Sequence, residues 1–151
     1  MLKLSFADYG ALRAHGEETY PHECCGVLLG NAAPDGNHVR EIVRAGNTRT
    51  DSAHNRYNIA PEELVKIQRQ ARKLGFDIVG FYHSHPDHPA MWSPTDFAEA
   101  HWVGCSYVIT AVAQGKAAIT NSFLLTGTGE EDKKFIDEAV EIEMQEERGQ
   151  A

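Results

Sequence analysis

Apolar residues at helical spacing predict three helices along the chain. In the segment 6–20 they recur about every three residues, and Ser5 stands at the N-cap position. The clearest helix runs from Pro61 up to Gly75, because proline is favoured at the first helical position and the apolar period continues to the glycine. We expect a third helix over 93–103.

Short apolar runs bounded by turn residues predict the strands. Buried strands are expected at 24–30 and 76–82, both rich in aliphatic or aromatic residues. A turn rich in proline, aspartate and glycine separates the first of them from a partner strand at 39–45. The runs 107–113 and 117–125 flank a short polar turn and predict a hairpin.

Apolar residues alternate with acidic ones at 140–144, which favours a strand with one wet face, although a helix over 135–144 fits nearly as well. Because strands and helices are mixed without strict alternation, the pattern predicts an α/β fold: a single domain with a mixed sheet flanked by helices. We expect this domain to cover 1–145, with a polar loop at 47–55 and a short polar tail at 146–151.

Composition narrows the class of protein. A chain of 151 residues suits one domain, and its 42% of hydrophobic and 24% of charged residues argue against disorder. The net charge of −8 argues against nucleic-acid binding, which needs a cationic surface. No apolar run approaches the roughly 18 residues of a membrane span, and no signal peptide is recognised. The odd cysteine count is no disulfide framework, which favours a cytoplasmic location.

The run Tyr82-His83-Ser84-His85-Pro86 carries the first chemical signal. On extended backbone, histidines at i and i+2 point to the same face, where they form one side of a zinc site. A polar loop after a strand explains the same residues, because a lone His-x-His pair is a weak motif.

The run Ser93-Pro94-Thr95-Asp96 fits a helix capping box. The same position makes Asp96 a candidate third ligand, ionised by the helix dipole, with the Ser93 hydroxyl beside the metal. Two histidines and one aspartate leave a fourth tetrahedral position for water, as in catalytic zinc sites. Glu23, just ahead of an apolar strand, is the candidate base for that water, although alone it is better explained as a rim residue.

Taken together, Glu23, a His-x-His pair, seven intervening residues and Ser-x-x-Asp resemble the complete motif of the JAMM family, also called MPN-plus metalloproteases. The segments PHECCGVLLG (21–30), YNIAPEEL (57–64) and GFYHSHPD (80–87) are similar to its compact bacterial and archaeal branch. The resemblance covers roughly 1–145 and implies the MPN/JAB fold, which is cytidine-deaminase-like. Met91-Trp92 departs from the small or proline-rich stretch expected there, which affects substrate preference more than chemistry.

The resemblance implies a zinc metallopeptidase that cleaves the peptide or isopeptide bond after the C-terminal Gly-Gly of a small ubiquitin-like or sulfur-carrier protein. It implies that His83, His85 and Asp96 hold one Zn²⁺ per chain. Glu23 then takes a proton from water and delivers it to the leaving amine, and Ser93 donates to the reacting carbonyl oxygen. No nucleic acid or membrane is expected as a partner, and a homodimer is left open.

Two other functions use the same residues. Two histidines and one carboxylate also form the facial triad of non-haem iron enzymes. In those enzymes the acid usually stands two residues after the first histidine and the other histidine is distant, whereas here the histidines are the close pair. A non-catalytic MPN-type binding module is the other alternative, but it predicts missing ligands, and none is missing here.

Overall fold

Eight strands and three helices make up the part of the chain that the computed structural model describes, residues 1–47 and 58–144. In chain order they are β1 (Leu2–Ser5), α1 (Phe6–Thr19), β2 (Cys25–Ala33), β3 (Gly36–Ala45), α2 (Pro61–Leu74), β4 (Asp77–Pro86), α3 (Pro94–Ala98), β5 (Ser106–Ala113), β6 (Lys116–Thr126), β7 (Lys134–Glu138) and β8 (Val140–Glu143). The predicted α/β fold, with one mixed sheet flanked by helices, is confirmed.

The strands form a sheet in the order β7-β6-β5-β4-β2-β3-β1-β8. Its two end strands are consecutive in the chain, with only Ala139 between them, and the Leu2 amide donates to the Ala139 carbonyl at 2.8 Å. The sheet must therefore curl until its ends approach each other. Helix α1 lies inside this curl, because it contacts β6 near one end of the sheet and β8 at the other.

Each face of the sheet packs on its own helix. Along β2, Leu28 faces the core around Leu12 of α1, whereas Val27 and Leu29 face the core around Ile67 of α2. All of these side chains are buried. Because both faces are covered, the central strands are mostly apolar, and a polar side chain there needs a partner or a function.

Helices α1 and α2 agree with prediction to within a residue. The Ser5 hydroxyl caps α1 by accepting from the Asp8 amide at 3.0 Å, and Gly75 ends α2 with a φ of 77° in the left-handed region. No helix among the described residues combines the length and apolar character that crossing a bilayer requires.

The predicted helix over 93–103 is too long, since α3 ends at Ala98. Ala100 and Trp102 both pack into the core on the α2 side, and residues two apart cannot share one face of a helix. The helical alternative for 135–144 is also wrong: Phe135 pairs with Leu125 of β6, and Val140 pairs with Leu2 of β1.

One predicted strand boundary needs correction, one strand was not predicted, and two predicted segments lie wholly or largely beyond the described part. Strand β4 was expected to end at Tyr82 but continues to Pro86, so the two histidines are on the strand and not in a loop after it. Strand β1 was not predicted, because its four residues are too short for a clear alternation. The tail 146–151, and all of the loop 47–55 except Asn47, lie outside the described residues.

Gly26 of β2 allows the ring of Tyr82 on β4 to cross directly above it. A Cβ at this position would overlap that ring, which is held in place because the Tyr82 hydroxyl is 2.7 Å from Nδ1 of His15 on α1. We expect Gly26→Ala to lower the free energy of unfolding by about 1–3 kcal/mol through overpacking. Urea unfolding followed by circular dichroism measures this change.

Gly10→Ala is the matched control. A Cβ there meets no heavy atom within 4 Å, and the residue is exposed inside α1. Alanine at this position should raise the free energy of unfolding by about 0.5–1 kcal/mol through helix propensity. Equal stabilities for the two variants would contradict the packing described for Gly26.

Candidate metal centre

His83 and His85 lie on β4, which is paired with β2 on one side and β5 on the other. The alternation of side chains along the strand turns both imidazoles to one face and Ser84 to the opposite face. There, Ser84 is fully buried against Gly16 of α1. Two hydrogen-bonded neighbouring strands thus fix the backbone that carries both histidines.

Asp96 reaches the same place from the first turn of α3. Its backbone amide donates to Oγ of Ser93 at 3.0 Å, and its Oδ2 accepts from the Ser93 amide at 2.9 Å, which completes the predicted capping box. The capping box fixes the orientation of the Asp96 carboxylate, which also contacts His83 and His85 on β4.

The three side chains converge on one point. Nε2 of His83 lies 3.2 Å from Nε2 of His85, and the Asp96 oxygens lie 3.3 Å from the first and 3.1 Å from the second. Ligand atoms about 2.0–2.1 Å from a tetrahedral zinc ion stand about 3.3 Å apart, so this spacing fits a zinc site. Among the described residues, His83, His85 and Asp96 form the group whose ligand atoms lie close enough together to hold a metal ion.

The tautomer of His85 also fits metal binding. Its Nδ1 lies 2.8 Å from the Pro89 carbonyl, which only accepts, so Nδ1 carries the proton. The lone pair of Nε2 therefore points into the cluster. A histidine that binds a metal through one ring nitrogen usually donates a hydrogen bond from the other nitrogen to a group such as a backbone carbonyl.

Charge is distributed asymmetrically over the cluster. Burial tends to raise the pKa of Asp96, but the hydrogen bonds with His83 and His85 outweigh it and hold the pKa well below its usual range. Burial lowers the pKa of His83. Burial also opposes protonation of His85, yet the Asp96 carboxylate and the Pro89 carbonyl together raise its pKa. Asp96 is thus an anion facing one neutral imidazole and one that is more readily protonated.

Glu23 stands in the segment between α1 and β2, beside these residues. The Cys24 amide next to it donates to Oγ of Ser84 at 2.9 Å, and the Ser84 amide donates back to the Cys24 carbonyl. The Tyr20 hydroxyl donates to Asp87, just beyond the end of β4, at 2.6 Å. Both contacts tie the segment that carries Glu23 to the strand that carries the histidines.

The carboxylate of Glu23 is only 4% exposed, and its Oε1 has no hydrogen-bond partner among the described residues. Burial is the main cause that raises the pKa of Glu23 to about 8. An unpartnered buried carboxylate oxygen is costly unless something outside the chain contacts it. A water or a substrate amine beside the metal cluster would supply that contact.

Glu23, His85 and Ser93 line one open cleft of about 450 Å³. The remaining lining residues are His88, Pro89, Met91, Trp92 and Thr95. Met91 and Trp92, the departure noted in the sequence, stand on its rim and are 54% and 38% exposed. The Trp92 ring packs against Phe97 of α3 and Phe135 of β7, so this rim is anchored to the body of the protein.

The structure brings together all five residues singled out in the sequence, whereas the neighbouring thiols have no such surroundings. Cys24 and Cys25 are buried, and burial raises the pKa of Cys24 to about 11 and that of Cys25 further. Neither forms the thiolate that a cysteine nucleophile needs. Sequence reasoning missed the Ser84 hydroxyl and the Pro89 carbonyl, because a backbone carbonyl and a serine inside a motif carry no signal of their own.

Two curated proteins are similar to part of this chain. One, named desampylase, from Haloferax volcanii, is 38% identical over 91 residues, which are 59% of this chain and 62% of that protein. The other, named probable TtuB-protein conjugate cleaving protease, from Thermus thermophilus, is 31% identical over 90 residues, 60% of this chain and 57% of that protein. The match thus spans less than two thirds of either relative.

Solved structures and a family description extend the likeness. A solution structure from Desulfitobacterium hafniense covers 100% of this chain and 99% of its own with a TM-score of 0.81 at 26% identity. One from Salinibacter ruber covers 95% and 93% with a TM-score of 0.71 at 34% identity. The family described as prokaryotic homologs of the JAB domain matches residues 7–125. The resemblance found in the motif is thereby confirmed, and the chain belongs to the Prok-JAB family.

Proposed function

We propose that this protein is a zinc-dependent hydrolase that cleaves the peptide or isopeptide bond after the C-terminal Gly-Gly of a small ubiquitin-like or sulfur-carrier protein. One observation carries the proposal. The Nε2 atoms of His83 and His85 stand 3.2 Å apart, and each has a carboxylate oxygen of Asp96 within 3.3 Å. The cleft beside them contains a buried glutamate with an unpartnered oxygen. A purely structural metal site has no use for such a glutamate.

In this proposal His83, His85 and Asp96 hold one Zn²⁺ and leave a position open. A zinc ion held by three protein ligands acidifies a water towards a pKa of about 7 and polarises a carbonyl. The protein supplies fixed geometry, since each ligand is oriented by a strand, a capping box or a backbone carbonyl.

Glu23 is the proton carrier. In its ionised form it accepts a proton from the attacking water, and it then delivers that proton to the nitrogen that leaves when the amide bond breaks. Burial holds the pKa of Glu23 at about 8, so it retains and releases a proton near neutral pH more readily than an exposed carboxylate. Its Oε1 has no hydrogen-bond partner among the described residues, so this atom is available to take the proton.

Ser93 has a hydrogen to donate. Its Oγ accepts from the Asp96 amide, and a hydroxyl that accepts one bond keeps its proton for another partner. In the cleft this proton stabilises the substrate carbonyl oxygen as negative charge develops on it. Removing one such donor typically costs about 10²–10³ in rate.

The substrate class rests on the relatives and on the shape of the cleft. The Thermus relative is named as a probable protease that cleaves TtuB-protein conjugates. Glycines without side chains suit a reacting atom that must approach a cluster lined by buried imidazoles. The three free, buried cysteines agree with a reducing, cytoplasmic location.

The two other functions are less well supported. A non-catalytic binding module needs neither a converged ligand set nor a buried glutamate, and both are present. In non-haem iron enzymes the acid usually follows the first histidine by two residues, whereas here the two histidines are the close pair and the acid lies beyond them. Elemental analysis of protein purified without added metal distinguishes zinc from iron.

Glu23→Gln should abolish hydrolysis while zinc stays bound. Glutamine keeps the shape of the side chain but cannot carry the proton, so we expect a loss of about 10²-fold or more in rate. The assay follows cleavage of a ubiquitin-like protein fused after its Gly-Gly to a second protein, with zinc measured on the same samples. Glu131→Gln, at an exposed glutamate, is the control; a rate for Glu23→Gln equal to this control would exclude Glu23 as the proton carrier.

His85→Ala should abolish stoichiometric zinc binding, because two ligands from different elements cannot complete the site. His88→Ala is the matched control, since His88 lines the same cleft but lies outside the ligand cluster. Elemental analysis after dialysis should show one zinc per chain in the control and none in His85→Ala. Full zinc content in both would refute the ligand set.

A further inference from the structure

Asp96 stands on the shortest helix of the described chain, and that helix needs support. Helix α3 has five residues, and a single turn of helix is not stable on its own in water. Its N-terminus is fixed by the capping box between Ser93 and Asp96. The support of its C-terminus comes from a residue far along the chain.

Lys133, just ahead of β7, extends its ammonium group to the last carbonyls of α3 and the turn after it. Nζ donates to the Phe97 carbonyl at 2.9 Å and to the Ala100 carbonyl at 2.8 Å, and the Ala98 carbonyl is 3.5 Å away. The third proton meets Glu130 at 2.9 Å. A cation at a helix C-terminus binds orphan carbonyls and interacts favourably with the helix dipole.

The surroundings of Lys133 make this contact rigid. Its side chain is only 5% exposed, and Nζ lies 4.8 Å from the centre of the Phe97 ring. The turn ahead of it is closed by Asp132, which accepts from the Thr128 and Gly129 amides at 2.9 Å each. A buried ammonium without these acceptors would be costly, so Lys133 and the end of α3 hold each other in one arrangement.

This anchor acts one peptide away from the ligand. The Phe97 carbonyl that Lys133 binds belongs to the residue after Asp96, so a shift of that carbonyl moves the Asp96 backbone. Metal sites require ligand distances within about 0.2 Å of their preferred values. We propose that Lys133 is a positioning residue that holds Asp96 at metal-binding distance by anchoring the C-terminal end of α3. The inference rests on the ligand role proposed for Asp96.

The test is the zinc affinity of the full chain, measured by competition with a chromophoric chelator, with thermal unfolding of the zinc-free protein in parallel. Lys133→Met keeps the apolar stem over Phe97 and removes the ammonium. We expect its zinc dissociation constant to rise about 10-fold, the typical size of an outer-partner effect. Lys134→Met, at the exposed neighbour on β7, should bind zinc as the wild type does.

Zinc affinity separates positioning from general stabilisation. If Lys133 only stabilises the fold, Lys133→Met will unfold at a lower temperature but bind zinc with wild-type affinity when folded, and the proposal is overturned. Should that variant fail to fold, Lys133→Gln keeps a donor for one carbonyl, and the same two outcomes decide. A wild-type protein that binds no zinc would overturn the metal site itself, which distinguishes the failure of the proposed function from the failure of the role of Lys133.

Discussion

The convergence of Asp96 on the Nε2 atoms of His83 and His85 requires a central strand and a one-turn helix to be held against each other. Two buried imidazoles with a carboxylate that is only 12% exposed, all within 3.3 Å of a neighbour, would be costly unless they share a proton or a cation. The rest of the structure supplies the rigidity for this contact. Strands β2 and β5 fix β4 from both sides, and α1 closes the opposite face through Tyr82.

The curl of the sheet places a distant part of the chain beside the site. Because β7 and β8 lie at opposite ends of the strand order and are separated only by Ala139, the curl brings the two ends of the sheet together. The segment that leads into β7 places Lys133 and Phe135 against α3 and the rim of the cleft. The end of the sequence is strongly acidic, and within its described part the one buried ammonium group is that of Lys133.

The approach of His83, His85 and Asp96 to one another could be predicted from the sequence because the signals for it are local. The i, i+2 spacing of the histidines and the capping box of Asp96 each operate within four residues, and the structure shows both arrangements. Glu23 was singled out by its place ahead of an apolar strand and by resemblance, and its role as the base stays a prediction. Its burial shows that the rim position, which fits the residue taken alone, was wrong. The predicted length of α3 was wrong, because Ala100 and Trp102 pack on the core in a way that helical periodicity does not reveal. Ser84 and Lys133 contact residues that are distant in the sequence, and a single sequence carries no signal for such contacts.

Hydrolysis of the bond after a Gly-Gly terminus is the reaction that we propose for this cleft. Its most direct test is intact-mass analysis of the products when the zinc-loaded protein acts on a small ubiquitin-like carrier with a residue attached after its second glycine. We expect a new C-terminus at that second glycine, and none when zinc is removed by a chelator. An uncut carrier in the presence of bound zinc, or a cut at any other peptide bond, would contradict the proposed reaction.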